Sequence, residues 1–249
     1  MAVSRALLIL LVLLSCSGAR AGELPQQVRI ASEEWSQYTE ADGQGLAWDI
    51  LRQVFEPQGI KVERSSMPYT RSVGLVQRGE VDAQVGAYRD ESVGVLYPHW
   101  NYDTDHIYAL GLADSPELTL VNIGNYRLVW VRGYQYQEYL PNVRRYNEIR
   151  RRVGILPMLL HGRADYYIDA QTEIDYVLGE ASNPSQFKRS HLAELPLYLG
   201  FADNPRGRAL LAFYDRRMEQ LVKEGSLRAI FQRWQQPYPF DASSQPALR

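Results

Sequence analysis

Aromatic and charged side chains follow the ends of several strands that the sequence predicts. In open α/β sheets, ligands bind at the carboxyl ends of the strands, so side chains at these positions are candidates for a binding site. Aromatic walls combined with a few charges suit a compact polar ligand. The candidate ligand-binding residues are Trp35, Tyr38, Tyr69, Arg71, Tyr88, Arg89, Tyr134 and Asp169.

Two of these candidates are arginines, which bind anions well. A guanidinium group holds a carboxylate or a phosphate in a bidentate fork, so Arg71 and Arg89 are candidates for the anionic end of a ligand. The alternative is a surface arginine or, for Arg89, an ion pair with the neighbouring Asp90. The sequence leaves both interpretations open.

Motifs of metal centres, cofactor sites and common hydrolases are missing from the sequence. Neither a Gly-x-Ser-x-Gly motif nor a phosphate-loop motif occurs. The histidines have no metal-ligand spacing along the chain; they are His99, His106, His161 and His191. We therefore expect no metal, no cofactor and no enzymatic activity.

The charge balance argues against nucleic acid as a partner. The formal net charge of the 249 residues is −2, and it becomes −4 when Arg5 and Arg20 of a predicted signal segment are removed. Arginines cluster between residues 144 and 152, but Glu148 interrupts the run, and a solvated helix face explains it. A nucleic-acid partner would call for a concentrated basic face. We expect a monomer that binds a small molecule.

The first 21 residues have the pattern of an export signal. Arg5 precedes an apolar run over residues 6–14, and residues 19–21 fit the small-x-small cleavage pattern. The run is too short to span a bilayer, which needs about 20 residues. The pattern predicts a signal peptide over residues 1–21 and a mature chain that begins at Gly22. Lipidation of Cys16, the only cysteine, is the alternative.

The mature segment alternates strands and helices in two similar halves. Hydrophobic periodicity and flanking glycines mark each element. The predicted strands cover residues 27–31, 60–63, 81–85, 127–131 and 166–169. The predicted helices have apolar residues over 46–55, with Gly59 closing the segment, over 70–78, over 155–160, over 211–222, with Gly225 stopping the helix, and over 227–234. The β-α-β order predicts mostly parallel sheets with helices on both faces.

One short pattern occurs once in each half. Residues 75–82 align without gaps with residues 158–165, and each segment is an apolar helix end followed by Gly, two residues and Asp. Gly suits a left-handed helix cap, and Asp hydrogen-bonds backbone groups at a turn. The repeat predicts two similar α/β lobes rather than one sheet.

Three parts of the chain resemble family 3 of the bacterial extracellular solute-binding proteins, which are the receptors of polar amino-acid importers and their relatives. The first part joins residues 45–59 with 75–82, and the second joins residues 131–134 with 158–169. The third, residues 220–234, is similar to the closing helix pair of the family and is the most specific. These segments are distributed between residues 45 and 234, so the resemblance spans nearly the whole mature chain.

This resemblance implies a type II periplasmic binding protein, a Venus flytrap with two α/β lobes joined by a two-strand hinge. Lobe 1 would comprise residues 22–108 and 200–249, lobe 2 would comprise residues 109–199, and the crossings would lie at residues 105–112 and 197–201.

The implied function is periplasmic binding of a small polar solute, an amino acid or a related amine-containing metabolite, for delivery to an inner-membrane ABC importer. One alternative is a ligand-sensing subunit for a membrane signalling partner. The other is a dehydratase-like enzyme on the same fold, with Glu34 or Glu173 as its general acid.

The resemblance also implies roles for particular residues. Asp169 matches the family aspartate that pairs with a ligand ammonium, although a helix N-cap is the alternative. The family arginine that binds the ligand α-carboxylate would fall near residues 91–93, where this chain has Glu-Ser-Val. Either Arg89 substitutes for it, or the ligand is not an ordinary α-amino acid, which leaves a polyamine, an opine-like compound or another small metabolite open.

Overall fold

Strands and helices alternate along the part of the chain that the structure describes. This computed structural model describes residues 24–241, so the predicted signal peptide and Cys16 lie outside the described residues. The strands are β1 Gln27–Ser32, β2 Lys61–Ser66, β3 Ala83–Ala87, β4 Val95–Leu96, β5 Asp103–Leu112, β6 Leu128–Val131, β7 Tyr146–Ile149, β8 Tyr166–Ala170 and β9 Phe187–Ala202. The α-helices are α1 Leu46–Phe55, α2 Tyr69–Gln77, α3 Ile155–Leu160, α4 Gln171–Gly179, α5 Pro205–Glu224 and α6 Arg228–Arg233.

The helices form where the sequence combines apolar periodicity with suitable ends. In α1, the residues at helical spacing, among them Leu46, Ile50 and Val54, are fully buried. The Asn204 side chain caps α5 by accepting a hydrogen bond from the Gly207 N–H at 2.8 Å. None of the helices between residues 24 and 241 is long and apolar enough to cross a membrane.

The strands form two groups that share β9. β1 pairs in parallel with β2 and β3, while β6 pairs in parallel with β7 and β8. β9 has 16 residues, and its first part pairs with β5 while its last part pairs with β3 and β4. The strand order is therefore continuous, β2-β1-β3-β9-β5-β8-β6-β7. The chain enters the second group along β5 and returns along β9, which are antiparallel neighbours.

The C-terminal helices pack on the first group of strands. α5 contacts α1 and the strands β4 and β9, and α6 contacts α1. Phe55 of α1 stacks on Phe213 of α5 with ring centroids 5.6 Å apart. The second group has its own cluster of buried side chains, which includes Val129, Ile155 and Tyr167. The two halves of the chain therefore each carry a sheet layer covered by helices.

The repeated Gly-x-x-Asp pattern builds the same contact in both halves. Gly79 and Gly162 adopt the left-handed conformation, with φ of 69° and 62°. Asp82 then accepts from the backbone N–H of Arg29 at 2.8 Å and pairs with its guanidinium at 2.9 Å. Asp165 makes the equivalent contacts with Arg127, both at 2.6 Å. Each aspartate thus connects the start of the strand that follows it to the neighbouring parallel strand by hydrogen bonds and an ion pair.

The two aspartates differ in burial, which gives a stability prediction. The Asp82 side chain is 2% exposed and also pairs with Arg206 at 2.8 Å, whereas the Asp165 side chain is 29% exposed. We expect Asp82→Ala to lower the free energy of unfolding by about 2–3 kcal/mol, because charge-assisted hydrogen bonds are lost at a buried site. The matched variant Asp165→Ala should cost less than half as much. Urea unfolding measures both, and equal losses would contradict the prediction.

Candidate ligand-binding site

A small cavity lies between the two groups of strands. Its volume is about 40 Å³, which accommodates about three water-sized groups. Its lining residues follow β1 and β6, lie on or follow β3, or lie on or next to α2, β5, β8, α4 and β9. The lining residues are Trp35, Tyr38, Tyr69, Gly86, Tyr88, Glu91, Tyr102, Asp105, Tyr134, Tyr136, Asp169, Ala170, Thr172, Glu173 and Leu197. Six of the eight candidates from the sequence are therefore brought together.

Aromatic rings form the walls of the cavity. The Tyr69 and Tyr134 rings meet edge to face with centroids 5.9 Å apart, and Tyr134 meets Tyr136 in the same way at 5.8 Å. Trp35 approaches Gly86, which has a φ of 86°; a Cβ at Gly86 would lie 2.4 Å from the indole ring. Glycine is therefore required at this position for the indole to cover the cavity.

Direct hydrogen bonds join the two sides of the cavity. The Trp35 indole N–H, after β1, donates to the Tyr134 hydroxyl, after β6, at 2.7 Å. The Ser36 backbone N–H donates to the Glu173 carboxylate on α4 at 3.0 Å. These contacts hold the two groups of strands together over the cavity.

Arg152 lies at the edge of the cavity among three acidic side chains. Its guanidinium is 3.0 Å from Asp169, 2.9 Å from Glu173 and 3.6 Å from Glu33. It also donates to the Tyr134 hydroxyl at 2.7 Å. The Arg152 side chain is only 12% exposed. The side chains of Asp169, Glu173 and Glu33 are 1%, 5% and 19% exposed, respectively. One buried cation therefore faces three carboxyl groups.

Burial and charge act in opposite directions on this cluster. Burial alone would lower the pKa of the Arg152 guanidinium, but the negative charges of Asp169 and the neighbouring groups raise it above its usual value. Burial raises the pKa of Glu173 to about 7 although Arg152 opposes the change, and it also raises the pKa of Glu33. Protonation of these carboxyls relieves the excess negative charge around one arginine.

Two further carboxyl groups face the cavity away from Arg152. Glu91 accepts hydrogen bonds from the Tyr69 hydroxyl and, at 3.0 Å, from the Tyr88 backbone N–H. Asp105 accepts from the Tyr88 hydroxyl at 2.9 Å. Burial raises the pKa of Glu91 and of Asp105 to about 7 in each case. These carboxyls are therefore poised between their neutral and ionised forms near neutral pH.

The two arginines proposed as anion ligands from the sequence lie outside the cavity lining. Arg71 is exposed on the first turn of α2. The Arg89 guanidinium donates to the carbonyl oxygen of Pro98 at 2.9 Å and lies over the Tyr198 ring at 4.4 Å. One guanidinium nitrogen of Arg89 is therefore bonded within its own loop, and the side chain stays exposed, because residues 88–99 fold back on β9. Neither arginine lies with Asp169.

Sequence reasoning missed several groups of the site. Arg152 was assigned to a solvated helix face, which was wrong, because the segment contains strand β7 and no helix. The other four arginines of the run are exposed, so the run itself contains no signal that singles out Arg152. Glu33, Glu91 and Asp105 were not candidates either, although Glu91 falls where the family resemblance implies an arginine. An acidic residue at the position of the family arginine was the one feature of the sequence that pointed to an acidic cavity.

Comparison with solved structures identifies the fold. The substrate-binding protein of an amino acid ABC transporter superposes with a TM-score of 0.66 at 17% identity, covering 84% of this chain and 98% of that one. A histidine kinase sensor domain with similarity to periplasmic binding proteins superposes with a TM-score of 0.69 at 17% identity, covering 84% and 95%. The chain has the Venus flytrap fold of the periplasmic binding proteins.

A third similar structure is an ancestral amino acid-binding protein, a precursor of cyclohexadienyl dehydratase. It superposes with a TM-score of 0.65 at 15% identity and covers 84% of this chain and 95% of that one. No family model and no curated protein sequence matches the chain. In a Venus flytrap protein, a cavity between the two groups of strands lies where the lobes meet, as it does here.

The raised pKa values predict how stability depends on pH. The folded-state pKa is about 7 for Glu91, Asp103, Asp105 and Glu173, so between about pH 4.5 and 7 the folded state binds more protons than the unfolded state. We expect the free energy of unfolding to fall as the pH rises from 5 to 7.5, by up to about 1.4 kcal/mol per pH unit for each group.

Urea unfolding across this pH range measures the slope. Asp105→Asn removes one of the four titrating groups and should make the slope shallower, whereas Glu117→Gln, at an exposed position, should leave it unchanged. A stability that rises between pH 5 and 7.5 would contradict the prediction.

Proposed function

We propose that this chain is a periplasmic solute-binding protein that closes over a small organic amine. The amine binds in the aromatic cavity, and the surrounding carboxylates receive its positive charge. The family resemblance and the solved structures of similar fold support a binding role, since the first of those structures serves an amino acid ABC transporter.

The charge of the cavity lining carries this proposal. Four carboxyl groups and no cationic side chain are among the described lining residues. Glu91 stands where the resemblance implies an arginine for an α-carboxylate, so the expected positive charge is replaced by a negative one. A buried carboxylate repels an anionic ligand and attracts a cation. An amine without a carboxylate therefore fits the site better than an ordinary α-amino acid.

The aromatic rings and the size of the cavity restrict the choice of ligand further. Tyrosine and tryptophan faces attract cations, and the effect is stronger in a desolvated site. Burial raises the pKa of the Tyr69, Tyr88 and Tyr134 hydroxyls well above the usual value, so these groups stay neutral. A volume of about 40 Å³ suits a compact monoamine or diamine, and a larger ligand requires the lobes to close less far.

The paired strands β5 and β9 supply the hinge in this proposal. Lobe 1, residues 22–108 and 200–249, and lobe 2, residues 109–199, move apart about this ribbon to admit the ligand. The Trp35–Tyr134 hydrogen bond then forms on closure. A ligand that contacts both lobes favours the closed state by its differential affinity.

The proposal also covers where the protein acts, whether it acts as a monomer and which membrane protein receives the ligand. The signal peptide over residues 1–21 would direct the chain to the periplasm, where the protein acts as a monomer. An inner-membrane ABC permease receives the closed form. A sensor protein in the membrane is the alternative receiver, which the fold similarity to a histidine kinase sensor domain supports equally.

Ligand binding can be tested with a thermal-shift screen of amines, polyamines, amino acids and organic acids, followed by calorimetry on the best compound. We expect amines to bind and their affinity to increase from pH 6 to 8, with proton release, because the bound cation favours ionised Glu91 and Asp105. Glu91→Gln and Asp169→Asn should weaken binding well over tenfold, as loss of one partner of a desolvated charge pair costs about 2–5 kcal/mol.

The exposed residue Glu117 provides the control, and Glu117→Gln should bind as the wild type does. Tight binding of an organic acid, or wild-type amine affinity in both cavity variants, would refute the amine assignment. Binding of a carboxylate-containing amino acid with proton uptake would indicate that the carboxyls bind the ligand in their neutral form.

A dehydratase activity is a second candidate, favoured by one observation. Glu173 lines the cavity, and its pKa is raised to about 7, as a general acid at neutral pH requires. The ancestral precursor of a cyclohexadienyl dehydratase has the same fold.

Incubation with cyclohexadienyl acids, followed by ultraviolet detection of aromatic products, separates the two candidates. We expect no turnover, because the acidic cavity disfavours anionic substrates. Turnover that Glu173→Gln abolishes and Glu117→Gln preserves would replace the binding function by catalysis.

A further inference from the structure

Three metal-binding side chains meet on the ribbon formed by β5 and β9. His106 comes from β5, and His191 and Glu194 come from β9. Their ligand atoms all lie within 4.8 Å of one another. The cluster is separate from the ligand cavity, since none of the three residues lines it.

A β-bulge places the three side chains on one face of the ribbon. Residues three apart on a regular strand point to opposite faces, so His191 and Glu194 would diverge. The register, however, pairs His106 with Glu194 and Tyr108 with His191, which leaves Leu192 as an extra residue on β9. An extra residue of this kind shifts the alternation by one position. Because of the bulge, the side chains of His191 and Glu194 lie on the same face of the ribbon although the two residues are three positions apart.

The distances suit a first-row divalent metal ion. His106 Nδ1 is 3.4 Å from Glu194 Oε1. Ligand atoms at 2.0–2.1 Å from a tetrahedral zinc ion are about 3.3–3.4 Å apart, so this pair already has the separation that zinc requires. His191 is exposed, and its ligand atom lies within 4.8 Å of those of His106 and Glu194.

The cluster of His106, His191 and Glu194 is accessible to solvent, and a neighbouring ring orients one of its imidazoles. The His106 and Glu194 side chains are 28% and 52% exposed, which leaves room for water in the remaining coordination positions. The Tyr108 ring packs edge to face on His191 with centroids 5.1 Å apart and limits the motion of the imidazole. Asp105 lines the ligand cavity, and its neighbour His106 projects from the other face of the strand.

We propose that His106, His191 and Glu194 bind a divalent transition-metal ion of the zinc class. Two imidazoles and one carboxylate are a donor set that Zn²⁺ and its neighbours in the first row accept, whereas Mg²⁺ and Ca²⁺ prefer oxygen ligands alone. Because the ligands come from both strands, the ion cross-links β5 to β9 on the side opposite the cavity. The site binds metal independently of the solute.

Zinc titration of the metal-free mature protein at pH 7.5 tests the site. Calorimetry should give one Zn²⁺ per chain, and Co²⁺ should produce visible absorption bands of a nitrogen- and oxygen-ligated ion. We expect His106→Ala and His191→Ala each to weaken zinc binding at least tenfold and to abolish the bands, and Glu194→Gln to weaken it less. His161→Ala, which removes an exposed histidine elsewhere, is the matched control.

Electron paramagnetic resonance of the Cu²⁺-loaded wild type gives a measurement that does not depend on the folding of any variant. Its nitrogen hyperfine pattern should report two imidazole ligands. Absence of zinc binding by the wild type, a single coordinated nitrogen, or undiminished binding in both alanine variants would each overturn the proposal. Circular dichroism of the metal-free variants checks that the mutations leave the fold intact.

Discussion

The antiparallel pairing of β5 with β9 is the contact on which the rest of the architecture depends. These two strands carry the chain into and out of the second half, and they pair along the whole of β5. Because β9 also pairs with β3 and β4, a single strand fixes the position of each sheet layer relative to the other. The cavity lies beside this ribbon, with Asp105 and Leu197 among its lining residues, and the cluster of His106, His191 and Glu194 lies on it. Both sites therefore depend on one strand pair.

An excess of buried acid over buried base dominates the electrostatics of the cavity. A buried charge is tolerated when it is paired and hydrogen-bonded, and Arg152 meets that condition with Asp169, Glu173 and the Tyr134 hydroxyl. The acids outnumber it, so burial raises the pKa of several of them toward neutrality. In the proposed function, a cationic ligand would displace the protons that these carboxyl groups hold.

Much of the fold follows from local sequence patterns. The helices that begin at Leu46 and Ile155 and the strands β1, β6 and β8 are predicted within one or two residues, because periodicity and terminal glycines depend on neighbours in the chain. The Gly-x-x-Asp repeat predicted an aspartate at a strand entry in each half, and Asp82 and Asp165 lie there. Their carboxylates accept backbone hydrogen bonds from Arg29 and Arg127 at the neighbouring strand and not from the turn, because that pairing forms only in the folded sheet. β4 and β7 are short edge strands with 2 and 4 residues, and such segments carry too few side chains for a periodic signal.

The sequence by itself determined the alternation of strands and helices, the two-lobe fold and the aromatic residues that gather at the strand ends. Asp169 was also a candidate from the sequence, but only the tertiary structure decided which other charged groups join it. The Arg152 side chain is only 12% exposed while the other arginines of its run are exposed. Arg89 is held by its own loop instead of reaching the cavity. His106 meets His191 across 85 positions of sequence and through a bulge, so no linear spacing reveals the pair. Periodicity records which face a residue occupies, whereas charge pairing depends on distances between segments that only the folded chain brings together.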